Sequence, residues 1–512
     1  MGQFSKVESA NLNAARLDAE YYGTAYVKNA ERIASFGNVS TLEEMRKRSV
    51  PIRRGIDMPN FVDDATSPLM VTIAAFDDPG INFKGLQRVS KIQHLAFKGS
   101  HIKSGDLLVA MGGYAGKAAI CPPDTPESNI GRHTARIVVD ETKADVYYVW
   151  AFIRSAVGTL QFERYITGSV QAGINLEDIR DITIASPTGL VQKYIGDKVR
   201  QAELLRTWAK ALSISIAAQF SDLVKNPLPA KVSWVAKKED LDPYRINPKH
   251  YDPVVLDLIQ RAKDECIRLD SLSALVGTRQ IAGGATPKGA QYFDMGILFA
   301  RVQNVKPLRL DLSDAVYIDQ FADEELARSR CAADDIILTI TGYPGTASLV
   351  TEEDLPVNIN QHSVRFNIKE GIEPGYVCAA LNSKFLKYQV DRLAIGGTRD
   401  ALDYPSVGRL LIPRYEAKVE KTIAEQARCV NAAIKLSQRL TSTAKLLVED
   451  LIEGQITEAQ LIAAEQALQA GNDTLDRKIL SRLKTDGIDG EGAALFSDLD
   501  ELYRLLALAE VE

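Results

Sequence analysis

The stretch GDLLVAMGGYAGKAAI, residues 105–120, decides how the chain is organised, because the chain presents it twice. At residues 334–342 stands DDIILTITG, followed by Tyr343, Pro344 and Gly345. Asp106, Gly113, Tyr114 and Gly116 thus fall on Asp335, Gly342, Tyr343 and Gly345 at a shift of 229. Working outward, the same shift brings Arg16, Tyr22 and Ile73 onto Arg245, Tyr251 and Val302. Asn129, Ile130, His133 and Arg136 fall on Asn358, Ile359, His362 and Arg365. One residue is then lost. At a shift of 228, Tyr148, Ser155, Gln161, Arg164 and Gly168 fall on Tyr376, Ser383, Gln389, Arg392 and Gly396, and Val191, Lys193 and Ile195 on Val419, Lys421 and Ile423. Chance does not supply a nearly gap-free register over about 180 positions. The chain reads as an internal repeat, and a repeat sets the architecture before any single motif does.

Each copy has the same internal order. Short β-rich runs come first: SPLMVTIAAF, GDLLVAMGG and TARIVVD in one copy, ILFARVQNV, DDIILTITG and HSVRFNI in the other. Gly, Asp and Pro punctuate them, as turns between strands require. A helical segment follows (YYVWAFIRSAVGTLQFERY, then YVCAALNSKFLKYQVDRL), then a polar loop (ITGSVQAGINLEDI, then AIGGTRDALDYPSV) and a strand ending near Pro187 or Pro413. A long helix closes each copy. In the second, Ile423, Ala427, Val430, Ile434, Ser437, Thr441, Ala444, Val448 and Leu451 alternate steps of four and three, a heptad seam with two polar positions. The first copy keeps it at Ile195, Val199, Ala202, Ala209, Ile216, Phe220 and Leu223, with Arg206 and Ser213 interrupting. A stripe so narrow predicts that the two helices pair with each other; packing of each on its own domain is the alternative. After residue 456, TEAQLIAAEQALQA and ALFSDLDELYRLLALAE read as amphipathic helices, with GIDGEGA between them as a linker. The apolar face at Leu495, Phe496, Leu499, Leu502, Leu505 and Leu506 calls for docking, on this chain or on a partner.

Composition excludes several classes. Cys121, Cys266, Cys331, Cys378 and Cys429 show no C-x-x-C spacing, and there are only five histidines. Neither a disulfide framework nor a structural zinc site is expected, and a reducing cytoplasm fits. No apolar run approaches the roughly 20 residues that span a bilayer. The opening MGQFSKVESA lacks a signal-peptide apolar region, and Lys6 stands where a myristoylation motif needs Ser or Thr. The net charge of −6 is uneven: residues 456–512 hold twelve acidic and five basic residues, leaving the rest at +1. A near-neutral body can still bind DNA through a basic face, whereas the acidic tail should avoid phosphate. No phosphate loop, H-E-x-x-H or G-x-S-x-G occurs. Asp242-Pro243-Tyr244 is one proline short of an amino-methyltransferase motif and reads as a turn. His133 and His362 match in place without a partnered Cys or Asp, and read as turn histidines. A binding module is favoured over an enzyme.

GGATPKGAQYFDMGILFARVQN, residues 283–304, resembles the opening of a target recognition domain in the specificity subunits of Type I restriction–modification systems. GDLLVAMGGYAGKAAI is similar to that family's G-D-[IL]-L block. TGSVQAGINLEDIRDITIASP with VQKYIGDKV is similar to its loop, strand, proline and helix close. The first copy lacks the T-P turn, having Pro51-Ile52-Arg53-Arg54-Gly55 there, and the second departs at GGTRDALDYPSVGRLLIP. The resemblance covers residues 15–455; the tail is longer than the family leads one to expect. It implies an α+β fold: two tandem target recognition domains with small β-sheets (1–187 and 227–413), two long antiparallel coiled-coil helices (188–226 and 414–456), a pseudo-two-fold repeat and an acidic helical tail (457–512). It implies a non-catalytic subunit that reads a bipartite site on double-stranded DNA. Two adenine-N6 methyltransferase subunits would bind S-adenosylmethionine in its place, and a motor-nuclease subunit can join, in restriction or phage defence. A helix of roughly 35 residues at ~1.5 Å each is about 50 Å long, which suits reading heads more than one DNA turn of ~34 Å apart. The alternatives are a scaffold or decoy with degenerate recognition domains, favoured by the negative charge, and an enzyme acting alone.

Base reading calls for Arg, Asn, Gln or Ser on exposed turns, with Lys and Arg on phosphate. The candidates in the first copy are Arg53, Arg54, Tyr114, Lys117, Arg132 and the Thr167, Ser169, Gln171 loop. In the second they are Thr286, Lys288, Arg301, Gln303, Tyr343, Gln361 and the Thr398, Arg399 loop, where Gly396 and Gly397 would let backbone approach DNA. No metal or cofactor site is expected in the chain.

Overall fold

A computed structural model of the chain describes residues 16, 18–167, 172–229, 233–241, 245, 247–265, 268–287, 289, 291–396 and 400–511. The chain packs into two compact units, residues 1–206 with 435–512, and residues 207–434.

In the first unit a four-stranded antiparallel sheet runs in the order Arg53–Arg54, Thr134–Ile137, Leu107–Ala110, Ala118–Ile120. In the second, Ala282–Gly283, Ser363–Phe366, Ile336–Thr339 and Ala347–Leu349 follow the same order. The register matches residue for residue. Leu107 faces Ile137 and Val109 faces Ala135; Ile336 faces Phe366 and Leu338 faces Val364. A second sheet in each unit contains a parallel pair, Ser128–Ile130 on Leu69–Val71 and Val357–Ile359 on Leu298–Ala300, again in matching register. Leu69–Val71 and Leu298–Ala300 are buried, which suits their apolar runs, while their parallel partners each bury one asparagine, Asn129 or Asn358. Val71, Phe76, Leu108, Ala119 and Ile130 share one core, and Leu298, Val305, Ile337, Val357 and Ile359 share the other.

The helical segment after the sheets is two helices in each unit. Val146–Arg154 and Ala156–Tyr165 are separated by Ser155, and Pro374–Leu381 and Lys384–Leu393 by Asn382 and Ser383. The cause is local: Ser155 and Ser383 take extended backbone angles, and their hydroxyls accept the N–H groups of Gly158 (3.1 Å) and Leu386 (3.3 Å), starting a new helix. Trp150 is buried and donates from Nε1 to the Ala118 carbonyl at 3.0 Å, fixing the helix to the sheet edge.

The long helices span Gly189–Gln219 and Ala417–Glu453. The heptad positions are buried, apart from half-buried Arg206, Ser213 and Ile434, but burial also takes in Tyr194, Lys198, Leu205, Leu436 and Leu440 off the seam. In the first unit the tail accounts for part of this. Helices Glu458–Gln469, Thr474–Arg482 and Leu499–Val511, with a hairpin of Leu483–Lys484 and Gly487–Ile488, pack on this chain. Lys198, which has no exposed side-chain surface, places its ammonium 2.7 and 2.8 Å from the two carboxylate oxygens of Asp476. The Tyr194 hydroxyl donates to the same carboxylate at 2.5 Å, and Tyr503 donates as well. Burial alone would raise the Asp476 carboxyl, but Lys198 and the two phenols outweigh it and hold it below the usual range. The stretch GIDGEGA is a structured turn rather than a plain linker. Its Gly487–Ile488 part is paired, and Asp486 accepts the N–H groups of Glu491 (3.0 Å) and Gly492 (2.9 Å). Among the described residues, no helix is long and apolar enough to cross a membrane.

Two outcomes follow for stability. Asp476→Ala leaves a buried ammonium unpaired and is expected to cost ~3–5 kcal/mol by chemical denaturation, while Lys198→Met with Asp476→Leu costs less than that single change. Asp450 accepts the Ile488 N–H at 3.0 Å, and burial, then the neighbouring Glu449 and Glu453, push its carboxyl up to about 6. A carboxyl raised in the folded state binds more protons there than in the unfolded chain. Its contribution to folding is therefore fully present below about pH 3.8, the ordinary carboxylate value, and is lost as pH rises from there through about 6. In Asp450→Asn, thermal melts should lose that part of the pH dependence.

Candidate nucleic-acid interface

Three segments meet at one end of the first unit's antiparallel sheet. Strand Leu107–Ala110 runs into a hairpin turn in which Gly113 and Gly116 have φ of 72° and 82°, a region that glycine occupies without strain. The Met111 N–H donates to the His133 carbonyl at 2.7 Å, which brings in the turn 131–134. The Ile174 N–H donates to the Met111 carbonyl at 2.8 Å, and Thr167 and Gly173 exchange two backbone bonds of 2.9 and 3.1 Å beside the hairpin. The second unit repeats each contact. Ile340 donates to His362 at 2.9 Å, Leu402 to Ile340 at 2.8 Å, and Ile395 and Ala401 exchange bonds of 2.8 and 2.9 Å. Both hairpin tips carry an exposed tyrosine, Tyr114 at 76% and Tyr343 at 83%. An aromatic ring so exposed at a hairpin tip leaves its apolar face to solvent, which suits a contact surface.

The structure brings several of the candidate residues together at these ends. Arg132 and His133 lie on one turn, and the Arg132 Nε–H donates to His133 Nε2 at 2.9 Å. Arg54 is half exposed and paired with Asp57 at 3.0 Å. Thr286 donates from its hydroxyl to Gln361 Oε1 at 2.6 Å, and the Gln361 amide lies 3.3 Å from His362 Nε2. Thr167 is paired with Gly173 as described. Other candidates are committed elsewhere. The Lys117 ammonium donates to the Phe76 carbonyl at 3.0 Å. Arg53, on the edge strand, lies beside Gly99, where a Cβ would stand 2.8 Å from its Cδ. Arg301 and Gln303 both bond Asp314, Gln303 at 2.9 Å to its carboxylate and Arg301 to carboxylate and carbonyl. Gln303 first, with Arg301 and Asn304, holds the Asp314 carboxyl below its usual range. Ser169, Gln171, Lys288, Thr398 and Arg399, with Gly397, lie outside the described residues. Gly396 has φ of 148°.

In the first unit these ends border a cleft of about 1060 Å³, lined by Arg54, Asp57, Arg132 and His133 over an apolar floor that includes Ile73, Met111 and Ile174. In the second unit the position of Arg54 is taken by Gly283, and the Tyr404 side chain lies against it. A Cβ at Gly283 would stand 1.7 Å from the tyrosine oxygen. Asp57, Asn175 and Glu177 line the first cleft without having been singled out from the sequence, and nothing in their spacing marked them. His133 and His362 were legible as matched positions, but their hydrogen-bond partners were not. Among the described residues no three His, Cys, Asp or Glu side chains group so as to hold a metal ion. The exposed groups are guanidinium, amide and hydroxyl, which form directed hydrogen bonds with planar partners such as base edges.

Gly55 and Gly284 set how the edge strand reaches this end. A Cβ at Gly55 would stand 1.9 Å from the Ile130 carbonyl oxygen, and one at Gly284 2.1 Å from that of Ile359. Gly55→Ala should therefore push the Arg54 strand off the turn and destabilise the chain by ~1–3 kcal/mol, read by chemical denaturation.

No family model and no curated protein sequence matches the chain. Solved structures do. The chain is similar to the S subunit of a Type-I restriction–modification system from M. genitalium, at 11% identity and a TM-score of 0.42 over 82% of this chain and 96% of that one. It is similar to a chain from a structure describing complex assembly and conformational transition of the type I R-M system, at 15% identity and a TM-score of 0.28 over 86% and 96%. The HsdS subunit from Thermoanaerobacter tengcongensis matches at 15% identity and a TM-score of 0.25 over 86% and 95%.

Proposed function

We propose that the chain is a DNA-recognition subunit of the Type I specificity kind, which reads a bipartite duplex site and delivers adenine-N6 methyltransferase subunits to it. The observation that carries this reading is the duplicated sheet end. One backbone framework, repeated in register, presents an exposed tyrosine, a turn that carries a histidine and a backbone-paired couple of residues beside it, with different side chains around the tyrosine in each unit. Two such ends suit two half-sites, and their different side chains suit different half-site sequences. Domains 1–187 and 227–413 would be the reading heads, and helices 188–226 and 414–456 an antiparallel spacer between them. Two contacts support that pairing: Arg206 Nε donates to the Ser437 hydroxyl at 3.3 Å in the first unit, and the Tyr415 hydroxyl to the Gln219 carbonyl at 3.4 Å in the second. The methyl donor, S-adenosylmethionine, would be held by the methyltransferase partners, which act in the cytoplasm on DNA without a membrane; a motor-nuclease subunit can join. The negative net charge is the observation that favours the second reading, a scaffold or decoy that binds DNA weakly.

Sequencing for N6-methyladenine in cells that carry the chain with its methyltransferase, before and after deletion of the chain, tests the proposal. A split motif with a methylated adenine in each half, lost on deletion, is the expected result. An unchanged methylation pattern in the presence of a stable complex favours the scaffold.

A further inference from the structure

The two units differ at one exposed position whose support is the same in both. Arg132 and Gln361 correspond at the shift of 229 residues, and each is followed by a histidine, His133 and His362. Both side chains are exposed, on turns locked to the sheet end by the matched bonds of Met111 and Ile340 to the histidine carbonyls. In the first unit Arg132 Nε–H donates to His133 Nε2, so that ring nitrogen carries its lone pair. In the second the Gln361 amide nitrogen faces His362 Nε2 at 3.3 Å, and Thr286 donates to Gln361 Oε1. The residue matching Thr286 in the first unit is Asp57, which holds Arg54 instead. Each histidine thus restrains one long, flexible side chain that would otherwise lose much of its freedom on binding.

The bracing leaves the recognition edges available. With Nε engaged, the two terminal nitrogens of Arg132 have no hydrogen bond among the described residues, and they form the fork that meets the O6 and N7 acceptors of guanine. An amide has two donors and two lone pairs. Gln361 spends one of each on His362 and Thr286, and keeps one donor and one acceptor, the two groups that meet N7 and N6 of adenine. Resting on the DNA-reading function proposed above, we infer that Arg132 and Gln361 are equivalent specificity-determining residues, reading guanine in one half-site and adenine at the corresponding place in the other, with His133 and His362 as positioning residues.

Enrichment of bound duplexes from a randomised DNA pool by the purified full-length chain tests this. Wild type should enrich two half-sites with guanine at one position and adenine at its counterpart. Arg132→Gln should change the guanine preference to adenine at that position, by on the order of tenfold, and leave the other half-site as it was; Gln361→Arg should do the converse. His133→Ala should relax that single position, whereas a merely structural histidine would blur the whole half-site. A wild-type motif that Arg132→Gln leaves unchanged, or a loss of binding uniform across all sequences, overturns the assignment and marks Arg132 as a bystander or a phosphate contact. Absence of any motif with the wild-type chain removes the DNA-reading function itself, and the inference with it.

Discussion

A buried amide that must be satisfied governs the architecture of each unit. Asn129 and Asn358 have no exposed surface, and each sits on the parallel strand that leads directly into the turn of Arg132 or Gln361. A buried carboxamide left unpaired costs more than a hydrogen bond is worth, so its surroundings are built to answer it. In the first unit His94 Nδ1 meets Oδ1 at 2.6 Å and the Ser100 hydroxyl accepts from Nδ2 at 2.6 Å. In the second, at the same two positions, Asp323 accepts from Nδ2 at 2.8 Å and Ser329 donates to Oδ1 at 2.7 Å. The amide is turned over to suit an acceptor where the other unit has a ring. Either way the strand is pinned to a short helix, Lys91–Ala96 or Gln320–Glu325, and the turn that follows has a fixed origin.

The same logic covers most of the residues that match between the copies. Tyr148 and Tyr376 donate their hydroxyls to the carbonyls of Ala185 and Pro413. Gln161 and Gln389 each bond both backbone groups of a strand residue, Thr183 or Leu411. Arg164 and Arg392 donate to the carbonyls of Tyr21 and His250. These pairings were visible in the sequence as identities, and their shared role in holding backbone explains why they match. Identity does not always keep the partner: Arg136 pairs with Asp106 at 2.6 Å, whereas Asp335 is taken by Arg279 and Arg365 bonds carbonyls instead. Burial first, and the nearby Arg279, lower the Arg365 guanidinium from its usual range, the mark of a cation whose counter-ion has gone to a neighbour. Sequence identity reports position, but not the partner that position finds.

The tail shows where legibility ends. Its apolar face was plain from the spacing of leucines, and Phe496, Leu502, Leu505 and Leu506 are buried. What it docks on was not, because the anchor is a lysine one step off the heptad seam. A lysine there reads as solvated, and its carboxylate lies 278 residues away in sequence. No local pattern encodes a pair whose members are each unfavourable when buried alone and tolerable only together. The site is less legible than the fold for a related reason. Arg301 and Gln303 look like free readers on a turn until Asp314 is seen to hold them, while His133 looks idle until Arg132 is seen resting on it.

The divergence of the two sheet ends follows from this separation of labour. Register and hairpin are set by backbone bonds and buried amides, none of which involves the side chains at the tip. Those side chains can therefore differ while the framework stays the same. Arg54 in one unit is Gly283 in the other, and the space it leaves is taken by Tyr404, which stands where the first unit has Leu176. One end is consequently open, with a cleft between two arginines, and the other has an aromatic ring beside its glycine. Had the tip residues also carried the fold, each change of surface would have needed compensation in the core. Because they do not, a single framework can be duplicated and each copy given its own surface.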